Sequence, residues 1–133
     1  MNSETKKIII ITGTSTGIGF TLAEFFGKKG HKVFGLSRKN VDSKFFTAIP
    51  TDITDNAQVQ NAISKILETE KRIDILINNA GMGMVGSVED SSQEEILRLF
   101  NLNLVGSVQM MSAVLPKMRE QKSGKIINIS SIG

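Results

Sequence analysis

Ile8-Ile9-Ile10-Ile11-Thr12-Gly13-Thr14-Ser15-Thr16-Gly17-Ile18-Gly19 is the stretch whose reading decides the fold. Four consecutive isoleucines leave no polar face, so the run predicts a strand buried on both sides. Thr12 and Gly13 break it, and three small polar residues follow. From Gly17 the apolar period changes: Ile18, Leu22, Phe25 and Phe26 fall on one helical face. Gly30 closes that helix just past Lys28 and Lys29. A buried strand running through a glycine-rich turn into a helix is a cradle for a diphosphate. Glycine lets the backbone approach the ligand, and the unpaired N–H groups and positive dipole end of the helix face its charge.

The spacing of the glycines narrows the ligand. No Gly-Lys-Ser/Thr follows, which excludes the phosphate loop of ATPases and GTPases. Glycines at 13, 17 and 19 form G-x-x-x-G-x-G instead of G-x-G-x-x-G. Residues 12–19 therefore resemble the T-G-x-x-x-G-I-G turn of short-chain dehydrogenases/reductases. Gly13, Thr14, Ser15, Thr16, Gly17, Ile18 and Gly19 are the cofactor-binding residues this implies.

Composition bounds the remaining possibilities. At 133 residues, 40% hydrophobic and 22% charged, the chain has the make-up of one globular domain with a real core. With no cysteine there is no disulfide framework, thiolate metal site or thiol nucleophile. The single histidine, His31, sits in the turn before the second strand and reads as a loop residue, so no metal site is expected. The net charge of +3 is spread along the chain. Its one weak cluster (Lys117, Arg119, Lys122, Lys125) falls where a helix should end, and cations are favourable there. No nucleic-acid partner is expected. Residues 1–7 are polar and lead straight into a strand, so neither leader nor membrane span is expected and a cytoplasmic location is the default.

Taken in order, the strands alternate with helices. Residues 32–36 form a short apolar strand ending at Ser37-Arg38-Lys39. In dinucleotide-binding domains an acid at this strand end suits the 2′-hydroxyl of NAD. Here Ser37 and Arg38 stand in its place, able to bond a 2′-phosphate, or else forming a plain basic turn. Residues 44–51 hold a third strand, placed at the sheet edge because Pro50 cannot donate to a ladder. Asp52-Ile53-Thr54-Asp55 follows, with Asp55 as N-cap of a helix whose buried stripe is Val59, Ile63, Ile66 and Leu67. Residues 72–77 form the fourth strand, which ends in Asn78-Asn79-Ala80-Gly81. Ala80 and Gly81 leave room for a ligand, while the asparagine amides can tie the turn to neighbouring backbone. Met82 and Met84 follow in an apolar lip. Ser92-Gln93-Glu94-Glu95 is a capping box for a helix expected to carry Ile96, Leu99, Phe100 and Leu104 inward. A break or bend is expected near residues 101–106, then a longer helix with Val108, Met111, Val114, Leu115 and Met118, kinked by Pro116 and ended by Gly124. Residues 125–129 are the fifth strand. The alternation predicts an α/β, doubly wound (Rossmann-like) parallel sheet in the order 3-2-1-4-5, with helices on both faces. All five strand ends then meet along one rim.

Beyond the glycine turn, N-N-A-G, N-L-V-G and I-N-I-S-S strengthen the resemblance to short-chain dehydrogenases/reductases, which spans residues 8–133. It implies a nucleotide-binding oxidoreductase passing hydride between nicotinamide and a carbonyl or alcohol substrate. It places Asp52 and Ile53 beside the adenine, Asp52 reading equally as a second helix cap. It places Asn79, Ala80 and Gly81 along the cofactor. Asn103 matches the active-site asparagine, or is a polar residue that bends the helix; Ser131 matches the serine that polarises the carbonyl. With Ser37-Arg38 the expected cofactor is NADP(H). The family commonly forms homo-oligomers. Its proton donor is the tyrosine of a Y-x-x-x-K pair, yet the chain has no tyrosine. The expectation is thus one NAD(P)-binding domain over residues 1–133, incomplete at its C-terminal side and inactive by itself. A non-enzymatic NADP-binding module, regulatory or structural, is the alternative.

Overall fold

The computed structural model describes residues 5–79 and 92–129. In chain order the elements are β1 (Ile8–Thr12), α1 (Gly17–Lys28), β2 (Lys32–Ser37), β3 (Thr47–Pro50), α2 (Asn56–Glu70), β4 (Ile75–Asn78), α3 (Gln93–Gln121) and β5 (Lys125–Asn128). The strands pair in parallel in the order β3-β2-β1-β4-β5. β1 is central, pairing Ile8 through Thr12 with Lys32 through Leu36 and Ile9 through Ile11 with Ile75 through Ile77.

Two hydrophobic cores lie on opposite faces of this sheet. Ile8 and Ile10 point into one, with Phe34, Leu36 and Leu76 of the sheet, Val59, Ile63 and Ile66 of α2, and Met110, Val114 and Met118 of α3. Ile9 and Ile11 point into the other, with Val33, Phe46, Ile77 and Ala23 of α1. The alternation of strand side chains thus makes every isoleucine of β1 a core residue. Each contributes about 1.5–3 kcal/mol relative to exposure.

Buried polar groups tie the lower ends of the strands together. The Asp74 carboxylate accepts the Ile8 N–H at 2.7 Å and pairs with Arg72. Gln121, at the end of α3, accepts from the Ile73 N–H at 2.9 Å and donates to the Ile73 carbonyl at 2.8 Å. These contacts start β4 at Ile75; residues 72–74 are a clamp, where a strand over 72–77 was expected.

Three helical expectations need correction. On α1, Leu22 and Phe26 pack inward, but Ile18 and Phe25 are 61% and 49% exposed. The inner face is built on Gly19 and Ala23, because the helix crosses too close to the sheet for large side chains. The expected break over residues 101–106 does not occur: α3 is one helix of 29 residues that continues past Pro116. Gly106 serves close packing instead, since a Cβ there would stand 2.6 Å from Ile53 Cδ1. The inward stripe of α3 is accordingly Gly106, Met110, Val114 and Met118. Phe100, Leu104 and Val108 are about half exposed, at 55%, 53% and 46%. α3 is long and apolar enough to cross a membrane by those criteria, but its inner stripe is packed in the sheet core. It ends at Gln121 on Lys122 in the left-handed region (φ 57°), ahead of Gly124.

Both expected N-caps form. Asp55 accepts from the Ala57 and Gln58 N–H groups, and Ser92 accepts from Glu95 N–H at 3.0 Å. Pro50 closes β3, which among the described residues pairs with β2 alone. Replacing Asp55 by Ala should cost about 1 kcal/mol, whereas Asn, an equivalent acceptor, should be nearly neutral. Urea unfolding of both variants checks this; equal losses would show that the side-chain cap is not what starts α2.

Candidate functional site

The C-terminal ends of the strands open on a cavity of about 820 Å³. Gly13, Ser15 and Thr16 line it from the turn after β1, Ile18 from the first turn of α1, Leu36, Ser37, Arg38 and Lys39 from the end of β2, and Thr51, Asp52, Ile53 and Thr54 from the end of β3. Asn79 after β4, Ile129 after β5 and Leu99, Leu102 and Asn103 of α3 complete the wall. Ten of the expected site residues therefore meet in one space: Gly13, Ser15, Thr16, Ile18, Ser37, Arg38, Asp52, Ile53, Asn79 and Asn103. Thr14 of the turn and Gly17 and Gly19 at the start of α1 adjoin it without lining the cavity. Ala80, Gly81 and Ser131, with Met82 and Met84, lie outside the described residues. A second depression, about 560 Å³, lies by the C-terminal end of α3 between Leu115, Met118, Arg119 and Ile126. It gathers cations and apolar side chains but no acid–base pair.

The turn after β1 is held from both sides. Gly13, with φ 70°, donates its N–H to Leu36 O of β2 at 2.8 Å. On the β4 side the Asn79 N–H donates to Thr12 Oγ1 at 2.9 Å, and Asn79 Nδ2 to Gly13 O at 3.4 Å. Gly17 has φ 65°, a conformation costly for any residue with a Cβ. A Cβ on Gly19 would overlap Gly13 O and Asn79 Nδ2, so the third glycine is required for helix, turn and strand to meet. Thr16 is the N-cap of α1 but its side chain makes no cap hydrogen bond. The first-turn N–H groups thus have no cap from Thr16 and stand at the positive end of the helix dipole.

Across the cavity Arg38 is exposed and makes no ion pair among the described residues. The Ser37 hydroxyl donates to Lys39 O at 3.0 Å, so binding an anion would require it to turn away from that carbonyl. The Asp52 carboxylate is held below its ordinary range, first by the Thr54 hydroxyl at 2.7 Å, then by the Thr54 N–H at 3.0 Å, with a smaller contribution from the Arg38 charge. Ile53 joins this loop to α3: its side chain fills the notch at Gly106 and its carbonyl accepts from Gln109 Nε2 at 2.7 Å. That docking carries Asn103, one turn earlier on α3, to the cavity wall. Leu36, Lys39, Thr51, Thr54, Leu99, Leu102 and Ile129 line the cavity without being among the expected site residues. Leu99 and Leu102 had no signal separating them from core positions; Lys39 was visible as the neighbour of Arg38.

Residues 7–133 match the family model described as short chain dehydrogenase. The chain belongs to the short-chain dehydrogenase family. It is 44% identical over 128 residues to 3-ketodihydrosphingosine reductase of Bacteroides thetaiotaomicron, covering 96% of this chain and 48% of that protein. The chain spans about half the length of the curated relatives it matches. Among solved family structures, ElxO with NADP bound superposes with a TM-score of 0.82 at 30% identity, over 96% of this chain and 56% of that one. The 3-ketoacyl-(acyl-carrier-protein) reductase of Brucella melitensis, complexed with NADH, gives 0.81 at 30% identity, over 94% and 57%. Family members with this fold thus bind either dinucleotide.

The lowered pKa of Asp52 has a definite sign. Its contribution to stability is full above the unfolded-state value and is lost as pH falls through the folded-state value. Asp52→Asn should therefore be less stable than the parent at neutral pH, with the gap closing below the ordinary value of 3.8. Urea midpoints measured across that range test it; a gap that does not change with pH would mean the charge is not what Thr54 holds.

Proposed function

We propose that the whole protein is an NADP(H)-dependent short-chain dehydrogenase/reductase that interconverts a carbonyl and an alcohol. The observation that carries this reading is the single cavity shared by the glycine turn, Arg38 and Asn103. Its residues fit a dinucleotide: Gly13 lining the wall with backbone alone, a helix N-terminus with no side-chain cap, and a guanidinium at the far wall. When bound, the nicotinamide supplies or accepts the hydride.

The chain's own residues then have distinct tasks. The Gly13–Gly19 backbone holds the diphosphate, while Arg38, with Ser37, holds the 2′-phosphate by charge-assisted hydrogen bonds. Asp52 and Ile53 border the adenine, and Asn79, Ala80 and Gly81 the middle of the cofactor. Ser131 donates a hydrogen bond to the carbonyl oxygen, where negative charge develops, and Asn103 orders the polar groups around it. The family's phenol proton donor has no counterpart among these 133 residues, which hold no tyrosine, so turnover is assigned to the whole protein and not to this chain alone. Leu99 and Leu102 give the cavity an apolar wall, and the 44% identical relative makes 3-ketodihydrosphingosine the first substrate to try. The exposed row Leu97, Phe100, Leu104 and Val108 on α3 supports burial in a homo-oligomer, and a cytoplasmic location goes with this reading.

NADP(H) is preferred over NAD(H) because no acid stands at residues 37–39 to bond a free 2′-hydroxyl. Losing a charge-assisted contact costs about 1.5–3 kcal/mol, so Arg38→Ala should weaken NADP(H) roughly tenfold or more. NAD(H) affinity should hardly move. Calorimetric titration of both cofactors into the protein encoded by the complete reading frame decides it. Equal affinities of the parent for the two would sink the assignment.

A further inference from the structure

Gly35 lies in the middle of β2, between Ile11 of β1 and Ala48 of β3. Glycine weakens a strand interior, so its presence there marks a close approach. The space its side chain would occupy is already taken. A Cβ at residue 35 would stand 2.5 Å from Thr14 Oγ1, 2.9 Å from Thr14 Cβ and 2.8 Å from Phe46 Cε2. Phe46 cannot easily retreat, because its ring packs edge-on against Phe20 of α1 at 5.8 Å between centroids. Thr14 is fully buried although it belongs to the ligand-facing turn. Its hydroxyl has no hydrogen-bond partner among the described residues, so shape more than polarity holds the side chain in place.

We infer that Thr14 and Gly35 are a matched pair in which Thr14, seated in the notch over β2, is a positioning residue for the diphosphate-binding turn. The inference rests on reading that turn as the diphosphate site. Gly13, Ser15 and Thr16, which flank Thr14, line the cavity, so the depth of the Thr14 side chain sets how far their backbone stands from the end of β2. The bond from Gly13 N–H to Leu36 O fixes the same distance one residue away. In a close-packed interior an added methyl at Gly35 must lift the turn, because β2 is held in place by its ladders to β1 and β3. Removing the whole Thr14 side chain at the same time clears both contacts at Thr14 and leaves the Phe46 Cε2 contact, so it relieves most of the overlap but not all of it.

The test uses the protein encoded by the complete reading frame, titrated with NADP+ and separately with adenosine 2′-monophosphate, which lacks the diphosphate. Gly35→Ala should raise the Kd for NADP+ about tenfold, with Thr14→Gly/Gly35→Ala returning to within about threefold of the parent. The Kd for adenosine 2′-monophosphate should stay within about twofold, since that probe engages Arg38 and not the turn; a purely structural lesion would not discriminate between the two ligands. Unchanged NADP+ affinity in Gly35→Ala, a double variant as weak as the single, or equal loss of both ligands would overturn the pairing. If Gly35→Ala does not fold, the double variant decides: affinity within about threefold of the parent supports the pair, and failure to fold or bind overturns it. A parent that binds no NADP+ sinks the functional reading and the pair with it, whereas a binding parent with an indifferent Gly35→Ala sinks the pair alone.

Discussion

The two-sided burial of β1 is the constraint on which the rest of the structure depends. A strand whose side chains all need apolar cover requires helices on both faces, and parallel neighbours are the arrangement that supplies them. β2 and β4 pair on either side of β1, each extended by one more strand, and α1 packs opposite α2 and α3. Because every connection crosses over, all strands point the same way. The polar ends of five strands are thereby collected along one rim, which is where the cavity lies.

That constraint also explains why the site is rich in small residues. The glycine turn is clamped between β2 and β4 by Gly13 N–H on Leu36 O and by Asn79 on Thr12 and Gly13. No room remains for side chains at Gly19 or Gly35, and the long helix reaches the rim only because Gly106 admits Ile53. Close approach, more than backbone flexibility, is what the glycines at 19, 35 and 106 provide. Polar groups do the complementary work at the opposite rim, where Asp74 and Gln121 hold the strand starts together.

Much of this was legible in the sequence because the informative signals are local. The isoleucine run, the glycine spacing, the Asp55 and Ser92 caps and the edge position required by Pro50 each follow from a few adjacent residues, and each matches the structure. What was not legible depends on distances between elements. Gly106 reads as a helix breaker until Ile53 is seen against it. Ile18 and Phe25 read as core until α1 proves to cross the sheet on Gly19 and Ala23. Phe100 and Leu104 satisfy helical periodicity, but α3 turns another stripe inward. Two helix ends, at Lys71 and Lys122, use non-glycine residues at positive φ, for which no sequence signal exists. In the site, Gln109 and Leu102 owe their roles to the α3 crossing and carry no motif.

The central claim is that the turn after β1 receives a dinucleotide diphosphate. Amide resonances of the isotopically labelled protein, followed while NADP+ is added, test it residue by residue. The account predicts saturable shifts at Gly13, Ser15, Gly17 and Gly19 and at Arg38, with Met118, Arg119 and Ile126 around the other depression unmoved. Saturable binding that leaves the glycine turn unshifted, or no binding at all, would contradict it.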